Sequence, residues 1–399
     1  MTTDIKQVAK TAGVSISTVS RTFTKPDLVS SQTREKVLKI AEKLDFHISR
    51  SAAALKSGQT MRVALLTSDG VSTWFDAHVF SGLDSVLHPA GYDISVYQMT
   101  TTTERRDFFM NLPVRRNVDA VIVDSFDIDP QEVTRLKSMH VPVIGINVPS
   151  SAGFDATVGI DDKGAMHTAV DHLAALGHRD IGYIGQTNHR QLRYSAESRL
   201  EGFREACATH PDIRPQELLF DDDAHFADHT INAILTAKPQ LTAVCIIKDE
   251  VALPIAYRLR QFGREVPRDL SIIGFDDIEL SGEIGLTTMH QDPYKLGTVA
   301  ARKTLEAMSG KASDTEDIAD GSEIGKDGTA DKSDDQYVVF EVPLMLRNTT
   351  APPMPADTSA TEQSEIRDMQ YKPLHPVSRD MTKTSSYAYM PIAAYRGKS

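Results

Sequence analysis

The chain has 399 residues, of which 40% are apolar and 25% are charged, as is typical of a folded globular protein rather than a disordered or fibrous one. No apolar run approaches the ~20 residues that a membrane span needs, and the N-terminal stretch lacks the apolar segment of a secretory signal, so we expect a cytoplasmic protein. Cys207 and Cys245 are too few for a disulfide framework or a CxxC metal site.

The net charge of −12 is unevenly distributed along the chain. Residues 1–60 carry ten Lys and Arg against five Asp and Glu, whereas the remainder carries 33 against 50. A basic head on an acidic chain indicates nucleic-acid binding confined to that head. A solvated helical surface has the same composition, so charge alone leaves both interpretations open.

The apolar spacing in residues 1–48 predicts three short helices. Asp4 is expected to cap the first helix, and Gly13 to end it. After a three-residue turn, a second helix is predicted over residues 16–23, and a third begins near Ser30. Two helices joined by a short turn with glycine, followed by a supporting helix, form a helix-turn-helix layout.

From Met61 onward, apolar runs alternate with amphipathic helices, such as those predicted over residues 164–176 and 296–308. Several runs consist almost wholly of Val, Ile and Leu, which is typical of parallel strands buried on both faces. Repeated alternation of strand and helix predicts an α/β fold, and this many strands predict two similar subdomains. The predicted strands span residues 62–67, 94–99, 120–124, 141–147, 158–161, 181–185, 243–247, 271–275 and 337–346.

Two stretches do not fit this alternation. Residues 311–336 hold nine acidic and three basic residues with few apolar ones, between a predicted helix and a predicted strand. We expect this acidic insertion to be a solvated loop. Residues 351–399 are rich in Pro, Thr and Ser without sustained periodicity, which predicts a disordered tail.

Ordered motifs carry a resemblance to a known family. The head reads DIKQVAKTAGVSISTVSRTF, and the core contains HLAALGHRDIGYIG, SAESRLEGF, KDEVALP, VPRDLSIIGFDD and LTTMHQD. In these motifs the chain resembles the lactose-repressor/galactose-repressor (LacI/GalR) transcriptional regulators. The resemblance runs from residue 4 to about residue 348, the acidic insertion excepted. It implies a helix-turn-helix head over residues 1–48, a hinge helix and linker over 49–60, and a two-lobed, periplasmic-binding-protein-like core of parallel sheets over 61–350.

The second helix of a helix-turn-helix enters the major groove, where residues near its N-terminus meet base edges. Arg21 can donate two hydrogen bonds to a guanine edge, whereas Ile16 offers only apolar contact. The alternative for Arg21 is a solvated surface position. Position and resemblance together predict Ile16, Ser17 and Arg21 as base-reading residues, and Ser30 and Thr33 as phosphate contacts. Thr18 and Ser20 of the same helix are predicted as further DNA-binding residues.

Residues 49–57 contain three successive alanines, which favour a helix, although a helix this short is marginal in water without a partner. The resemblance implies a hinge helix that pairs with its counterpart in a second subunit and enters the minor groove. Ala54 and Leu55 are then DNA-binding residues, and Leu55 is the wedge that unstacks a base step. The alternative for Leu55 is a linker residue packed on the core.

Ligands of open parallel sheets bind beyond the carboxyl ends of the strands. Trp74 and Phe75 follow the first strand and offer faces to a sugar ring, although core packing is an alternative for Trp74. The resemblance identifies Arg199 as the residue that grips the effector and Asp276 as the acceptor of sugar hydroxyls. The predicted effector-binding residues are Asp69, Trp74, Phe75, Asn147, Asp161, Arg199, Lys248 and Asp276.

Lys248 departs from the family pattern, because many relatives have Asn before the residue that corresponds to Asp249. The cation leaves open whether the effector is a neutral sugar or an anion such as a sugar phosphate. We expect no cofactor and no metal site. The histidines His167, His172 and His178 are not spaced to share one helical face, and no P-loop or nucleophile elbow occurs.

These features predict a homodimeric repressor of carbohydrate-utilisation genes that binds palindromic double-stranded operator DNA and a small carbohydrate effector. Two heads are needed to span two half-sites. The proline-rich tail has no leucine heptad, so we expect a dimer and not a tetramer. The alternatives are a solute receptor and a sugar-processing α/β enzyme. Neither accounts for the head, and no catalytic constellation supports the enzyme.

Overall fold

A computed structural model describes residues 4–24, 26–46, 59–68, 70–115, 117–187, 194–221, 225–309 and 336–354. Ala54 and Leu55 of the predicted hinge helix lie outside these residues, as do Asp69, the acidic insertion up to residue 335 and the tail beyond residue 354. The predictions made for them stay predictions.

Three helices form the N-terminal head, as the sequence predicts: α1 (Ile5–Ala12), α2 (Ile16–Thr24) and α3 (Ser31–Lys43). Asp4 caps α1, which ends at Gly13, where a φ of 64° favours glycine. The hydroxyls of Ser15 and Ser30 accept hydrogen bonds from the first turns of α2 and α3. A small apolar core holds the three helices together: Val8, Ala9, Ala12, Val19, Val37, Ala41 and Phe46.

The first lobe of the core is built on a six-stranded parallel sheet. Its strands are β1 (Arg62–Thr67), β2 (Asp93–Gln98), β3 (Ala120–Asp124), β4 (Val143–Ile146), β5 (Ala156–Ile160) and β11 (Tyr337–Phe340), in the order β11-β5-β4-β3-β1-β2. The central strands β3 and β4 are buried throughout, as expected of Val/Ile runs covered on both faces. The helices of this lobe are α4 (Trp74–Leu87), α5 (Thr102–Arg115), α6 (Pro130–Met139) and α12 (Pro293–Ser309).

The second lobe repeats this architecture. Its strands are β6 (Asp180–Gln186), β7 (Arg214–Phe220), β8 (Ala243–Ile246), β9 (Ser271–Asp276), β10 (Thr288–His290) and β12 (Leu344–Met345), in the order β12-β10-β9-β8-β6-β7. All neighbours are parallel except β10 and β12, which pair antiparallel. The helices are α7 (Asp162–Ala175), α8 (Ala196–Thr209), α9 (Phe226–Thr236), α10 (Asp249–Leu259) and α11 (Glu279–Ile284). The two parallel sheets confirm the predicted fold class.

The chain passes between the lobes at residue 161, at residues 291–292 and at residues 341–343. The third crossing shows that the single strand predicted over residues 337–346 is wrong, because β11 and β12 belong to different sheets. Pro343 has no N–H to continue a ladder, and its carbonyl instead accepts from the N–H of His290 at 2.9 Å. The short strand β10 and the polar edge strand β7 were not predicted.

Helices α4 and α12 pack closely in the first lobe, because glycine stands at their contact. A Cβ atom on Gly297 would lie 2.3 Å from the carbonyl oxygen of Val79, and one on Gly82 would lie 2.2 Å from the carbonyl oxygen of Tyr294. Such contacts are far inside van der Waals distance and involve rigid helix backbone. The helices therefore cannot keep this spacing with any larger residue at these two positions.

Replacing Gly297 by alanine should lower the free energy of unfolding by about 1–3 kcal/mol, because overpacking outweighs the better helix propensity of alanine. Urea denaturation of the purified protein measures the effect. Gly282→Ala is the matched control, because a Cβ there would meet nothing nearer than Arg347 Nη2 at 3.9 Å. Equal urea midpoints for the wild type and Gly297→Ala would contradict the close contact between α4 and α12.

Candidate functional site

A cavity of about 270 Å³ opens at the carboxyl ends of both sheets. On the first lobe it is lined by Ser125 and Asn147, which follow β3 and β4. On the second lobe it is lined by Lys248, which follows β8, and by Asp276, which ends β9. The cavity is therefore a cleft between the lobes, in the position expected for a ligand of open parallel sheets.

Six of the eight predicted effector-binding residues line this cleft: Trp74, Phe75, Asn147, Arg199, Lys248 and Asp276. Asp69 lies outside the described residues. Asp161 is not among the lining residues, because its carboxylate caps α7 and accepts from the N–H of Gly164 at 2.9 Å. We therefore remove Asp161 from the proposed site and assign it to the first crossing between the lobes.

Arg199 projects from α8 into the floor of the cleft and is 6% exposed. Its Nε donates to Asp162 Oδ1 at 2.8 Å, and its Nη1 donates to the carbonyl of Ile247 at 2.7 Å. The guanidinium carbon lies 3.5 Å from the centroid of the Phe275 ring. Because Asp162 begins α7, directly after the first crossing, Arg199 ties the cleft to a segment that joins the two lobes.

Asp276 ends β9 with a φ of 113°, a conformation that is rare for residues other than glycine. Its Oδ1 accepts from Gln291 Nε2 at 2.6 Å and lies 3.9 Å from Arg199 Nη1. Burial raises the pKa of Asp276 to about 7, although Arg199 favours the charged form. Gln291 lies on the second crossing, so Asp276 is also bonded to a segment that joins the lobes.

Asp249, which sequence reasoning did not select, organises the loop after β9. Its buried carboxylate accepts from the N–H groups of Asp277 and Ile278 at 2.9 and 3.3 Å. It also accepts from the hydroxyls of Ser281 and Thr288 at 2.6 and 2.7 Å. Burial raises the pKa of Asp249 to about 6 even against these four donors. The loop that begins at the cleft is therefore fixed by a single buried carboxylate.

Trp74 and Phe75 form the aromatic wall of the cleft at the start of α4. Trp74 is half-buried and lines the cavity, which favours the ligand-facing interpretation over core packing. Its Nε1 donates to Glu279 Oε2 in the second lobe at 3.0 Å. Phe75 packs against the core of the first lobe on one side and lines the cavity on the other. Two aromatic side chains of the first lobe thus line the same cavity as Arg199 and Asp276.

Three polar atoms around the cleft have no hydrogen-bond partner among the described residues: the hydroxyl of Tyr183, Gln186 Nε2 and Gln291 Oε1. Unpartnered buried polar atoms are costly, and they are typical of a site that a ligand completes. Gln186 ends β6, so its place at the carboxyl end of a parallel strand could have identified it as a site residue. Tyr183 lies inside β6 and Gln291 lies on a crossing, and no sequence signal indicates either.

The head presents most of its predicted DNA-binding residues to solvent. Ile16, Ser17, Arg21 and Ser30 are exposed, and Thr18, Ser20 and Thr33 are half-buried. The hydroxyls of Ser17 and Thr18 lie 2.7 and 2.8 Å from that of Ser15, at the beginning of α2. The hydroxyl of Ser30 donates to Thr33 Oγ1 at 2.9 Å. These contacts fix the N-terminal ends of α2 and α3, which the resemblance places against DNA.

The described residues hold no group of three or more His, Cys, Asp and Glu side chains that is able to bind a metal ion. Two of the histidines considered in the sequence have other contacts: His172 lies 3.2 Å from Thr350 Oγ1, and His178 lies 2.8 Å from the carbonyl of Ala351. Within the same part of the chain, no helix is both long enough and apolar enough to cross a membrane.

Comparison with known proteins identifies both parts of this architecture. Residues 4–49 match the family described as bacterial regulatory proteins, lacI family, and residues 170–323 match the periplasmic binding protein-like domain. The chain is 29% identical over 316 residues to the HTH-type transcriptional repressor PurR of Aliivibrio fischeri (strain MJ11), an alignment that covers 77% of this chain and 92% of that repressor.

Solved structures share the fold. The lac repressor dimer bound to operator and the anti-inducer ONPF aligns with a TM-score of 0.71 and 24% identity, over 88% of this chain and 100% of that chain. The complex of the transcriptional regulator CelR with cellobiose aligns with a TM-score of 0.58 and 25% identity, over 87% and 99% of the two chains. These relatives are regulators, so neither the enzyme nor the solute-receptor alternative is supported. The lacI-family head, the periplasmic-binding-protein-like core and the similarity to curated repressors together support a DNA-binding transcriptional regulator of the LacI/GalR type.

Proposed function

We propose that this regulator represses carbohydrate-utilisation genes in the cytoplasm, and that a small sugar in the cleft controls its affinity for operator DNA. The observation that carries the proposal is the pairing of Arg199 and Asp276 at the floor of the cleft. Arg199 is bonded to Asp162 beside the first crossing, and Asp276 to Gln291 on the second. A ligand held by Arg199 and Asp276 therefore acts on both segments that set the arrangement of the lobes.

The charges of the cleft favour a neutral sugar over a sugar phosphate. The charge of Arg199 is balanced by Asp162 and Asp276, and Lys248 is the second cation that lines the cavity. Four acidic residues line the same cavity: Asp76, Glu197, Glu250 and Asp276. Carboxylates that accept hydroxyls, together with aromatic faces, suit a polyhydroxylated ligand. The similarity to CelR, solved with cellobiose, supports the same class.

Sugar phosphates are the second candidate, on the single observation of Lys248. Thermal denaturation tests both classes, because a ligand that binds only the folded protein raises the melting temperature. The probes are glucose, ribose and cellobiose, each compared with glucose 6-phosphate and inorganic phosphate. Stabilisation by a neutral sugar supports the proposal. Stabilisation by the phosphates alone, abolished in Lys248→Asn, would establish the second candidate instead.

Replacing Arg21 by alanine should weaken binding to the specific operator by about 5–150-fold, the worth of one bidentate contact to a guanine edge. Binding to random DNA should change far less, because it depends on phosphate charge. Gel shifts compare the chain's own upstream DNA with random DNA. Arg21→Lys is the control: it keeps the charge but loses the planar fork, so it should lose discrimination while retaining non-specific binding. Equal losses on both DNAs would contradict base reading by Arg21.

We further propose that the regulator is a homodimer whose hinge helices bring Ala54 and Leu55 into the minor groove. Two heads are needed to span a palindromic operator. Light scattering is expected to give twice the chain mass of 43.9 kDa. A mass four times that of the chain in dilute solution would contradict the proposal of a dimer.

A further inference from the structure

The side chain of Trp74 is held from the opposite lobe. Its Nε1 donates to Glu279 Oε2 at 3.0 Å, and Glu279 Oε1 lies 3.5 Å from His78 Nε2. The His78 ring also contacts the indole, with ring centroids 4.7 Å apart and ring planes tilted by 43°, and its Nδ1 lies 2.7 Å from the carbonyl of Trp74. Trp74 and His78 belong to α4 of the first lobe, whereas Glu279 begins α11 of the second. We call this set the Trp74–Glu279 contact.

Glu279 is mechanically linked to the floor of the cleft. Only Asp277 and Ile278 separate it from Asp276, and the carboxylate of Asp249 accepts from the N–H groups of both. The same carboxylate accepts from Ser281 in the first turn beyond Glu279, at 2.6 Å. Because Asp249 holds this loop on both sides of Glu279, the positions of Asp276 and Glu279 are linked through one short, hydrogen-bonded segment.

The Trp74–Glu279 contact contributes little to the stability of the fold. The side chain of Glu279 is 77% exposed and that of His78 is 38% exposed, and charge contacts at such exposure add little to folding. What the contact does fix is the orientation of the indole that lines the cleft. A hydrogen bond between lobes also exists only at one separation of those lobes.

We infer that Glu279 is a positioning residue for the effector site: it holds the Trp74 indole as a wall of the cleft when the lobes are closed, and releases it when they part. The inference deepens the proposed function and rests on it, since the effector is taken to occupy the cleft. Binding at Asp276 and placement of the aromatic wall are thereby linked through four consecutive residues. An effector that favours the closed lobes can contact the positioned Trp74 indole. An effector that opens the lobes loses this contact.

Tryptophan fluorescence tests the inference directly, because Trp74 is the only tryptophan of the chain. Emission wavelength and acrylamide quenching are measured on the full-length protein without ligand. Glu279→Ala should shift the emission to the red and raise the quenching constant, since the indole is released to water. Glu279→Gln keeps a carbonyl acceptor at the same place and should retain the emission of the wild type.

Glu283→Ala is the matched control, because Glu283 is an exposed acid one turn along the same helix. It should leave emission and quenching unchanged. The inference is overturned if Glu279→Ala and Glu283→Ala both behave as the wild type. It is also overturned if Glu279→Ala lowers the melting temperature together with the change in emission and Glu279→Gln does not restore either, because the role is then merely structural.

Binding of calf-thymus DNA, measured on the same proteins, separates this inference from the function on which it rests. Glu279 lies in the core and not in the head, so all variants should bind this DNA as the wild type does. A wild-type protein that failed to bind any DNA would contradict the proposed function, whereas the emission of Glu279→Ala would still decide whether Glu279 positions Trp74.

Discussion

Replacing Arg199 by methionine is expected to lower the free energy of unfolding by about 3–5 kcal/mol, the usual cost of removing one partner from a buried ion pair. Methionine keeps the apolar stem but leaves the carboxylates of Asp162 and Asp276 buried without their cation. It also leaves the carbonyl of Ile247 without its donor. Urea denaturation at neutral pH measures the loss.

Arg204→Met on the same helix is the control. Arg204 pairs with Glu217 at 2.6 Å, but its side chain is 53% exposed, so its removal should cost less than about 1 kcal/mol. A loss of similar size for the two variants would show that Arg199 is not a buried charge in solution. A large loss of unfolding free energy for Arg199→Met, but not for Arg204→Met, would support the role of Arg199 in holding the floor of the cleft together.

The loss at Arg199 should also depend on pH, with a definite sign. Burial holds the pKa of Asp276 above its value in the unfolded chain, so protonation of Asp276 stabilises the folded state. This contribution is fully present below the unfolded pKa and is lost as pH rises through about 7. Without the guanidinium of Arg199, the pKa of Asp276 rises further. The loss in the free energy of unfolding caused by Arg199→Met should therefore be smaller at pH 5 than at pH 8.

Most of the fold follows from local sequence pattern, for a physical reason. Strands such as β3 are buried on both faces, so the sequence must be apolar at every position, and such runs stand out. The edge strand β7 is exposed or half-buried at every position and contains Pro215, and no such pattern marks it. Pro343 ends one ladder, but no local rule states that the next strand joins the other sheet.

The residues of the site also fall into those that the sequence could predict and those that it could not. Residues that end strands, such as Asn147 and Asp276, were predictable because parallel strands bring their carboxyl ends to one edge. Asp249 was not, since its partner Thr288 is 39 residues away and the two meet only through sheet pairing. The contact of Trp74 with Glu279 spans 205 residues and two lobes. Partners of this kind depend on tertiary arrangement and leave no periodic trace in the sequence.

Asp276→Asn should fold normally, bind operator DNA as the wild type does, and fail to respond to the effector. Asparagine tolerates the positive φ of this position, and its oxygen can still accept from Gln291 Nε2. It lacks the charge that makes a carboxylate a strong acceptor of sugar hydroxyls. The variant should therefore lose the coupling between effector and DNA, typically about 5–150-fold in affinity.

The measurement is operator affinity with and without the sugar that most stabilises the wild type in thermal denaturation. Asp277→Asn is the matched control, because Asp277 lies in the same loop, has a φ of 59° and pairs with Arg347 outside the lining of the cleft. It should keep the response. A variant Asp276→Asn that still changes its DNA affinity at wild-type sugar concentrations would show that Asp276 only shapes the end of β9.

The pH dependence of sugar binding gives the same prediction a second readout. The ionised carboxylate is the better acceptor, and burial raises the pKa of Asp276 to about 7. Sugar affinity of the wild type should therefore increase as pH rises through neutrality, whereas that of Asp276→Asn should stay flat. Because effector and operator are reciprocally linked, operator DNA should change the sugar affinity of the wild type by the same factor by which the sugar changes its operator affinity. In Asp276→Asn both factors should fall together toward one, since a ligand that no longer distinguishes the two lobe arrangements cannot shift them.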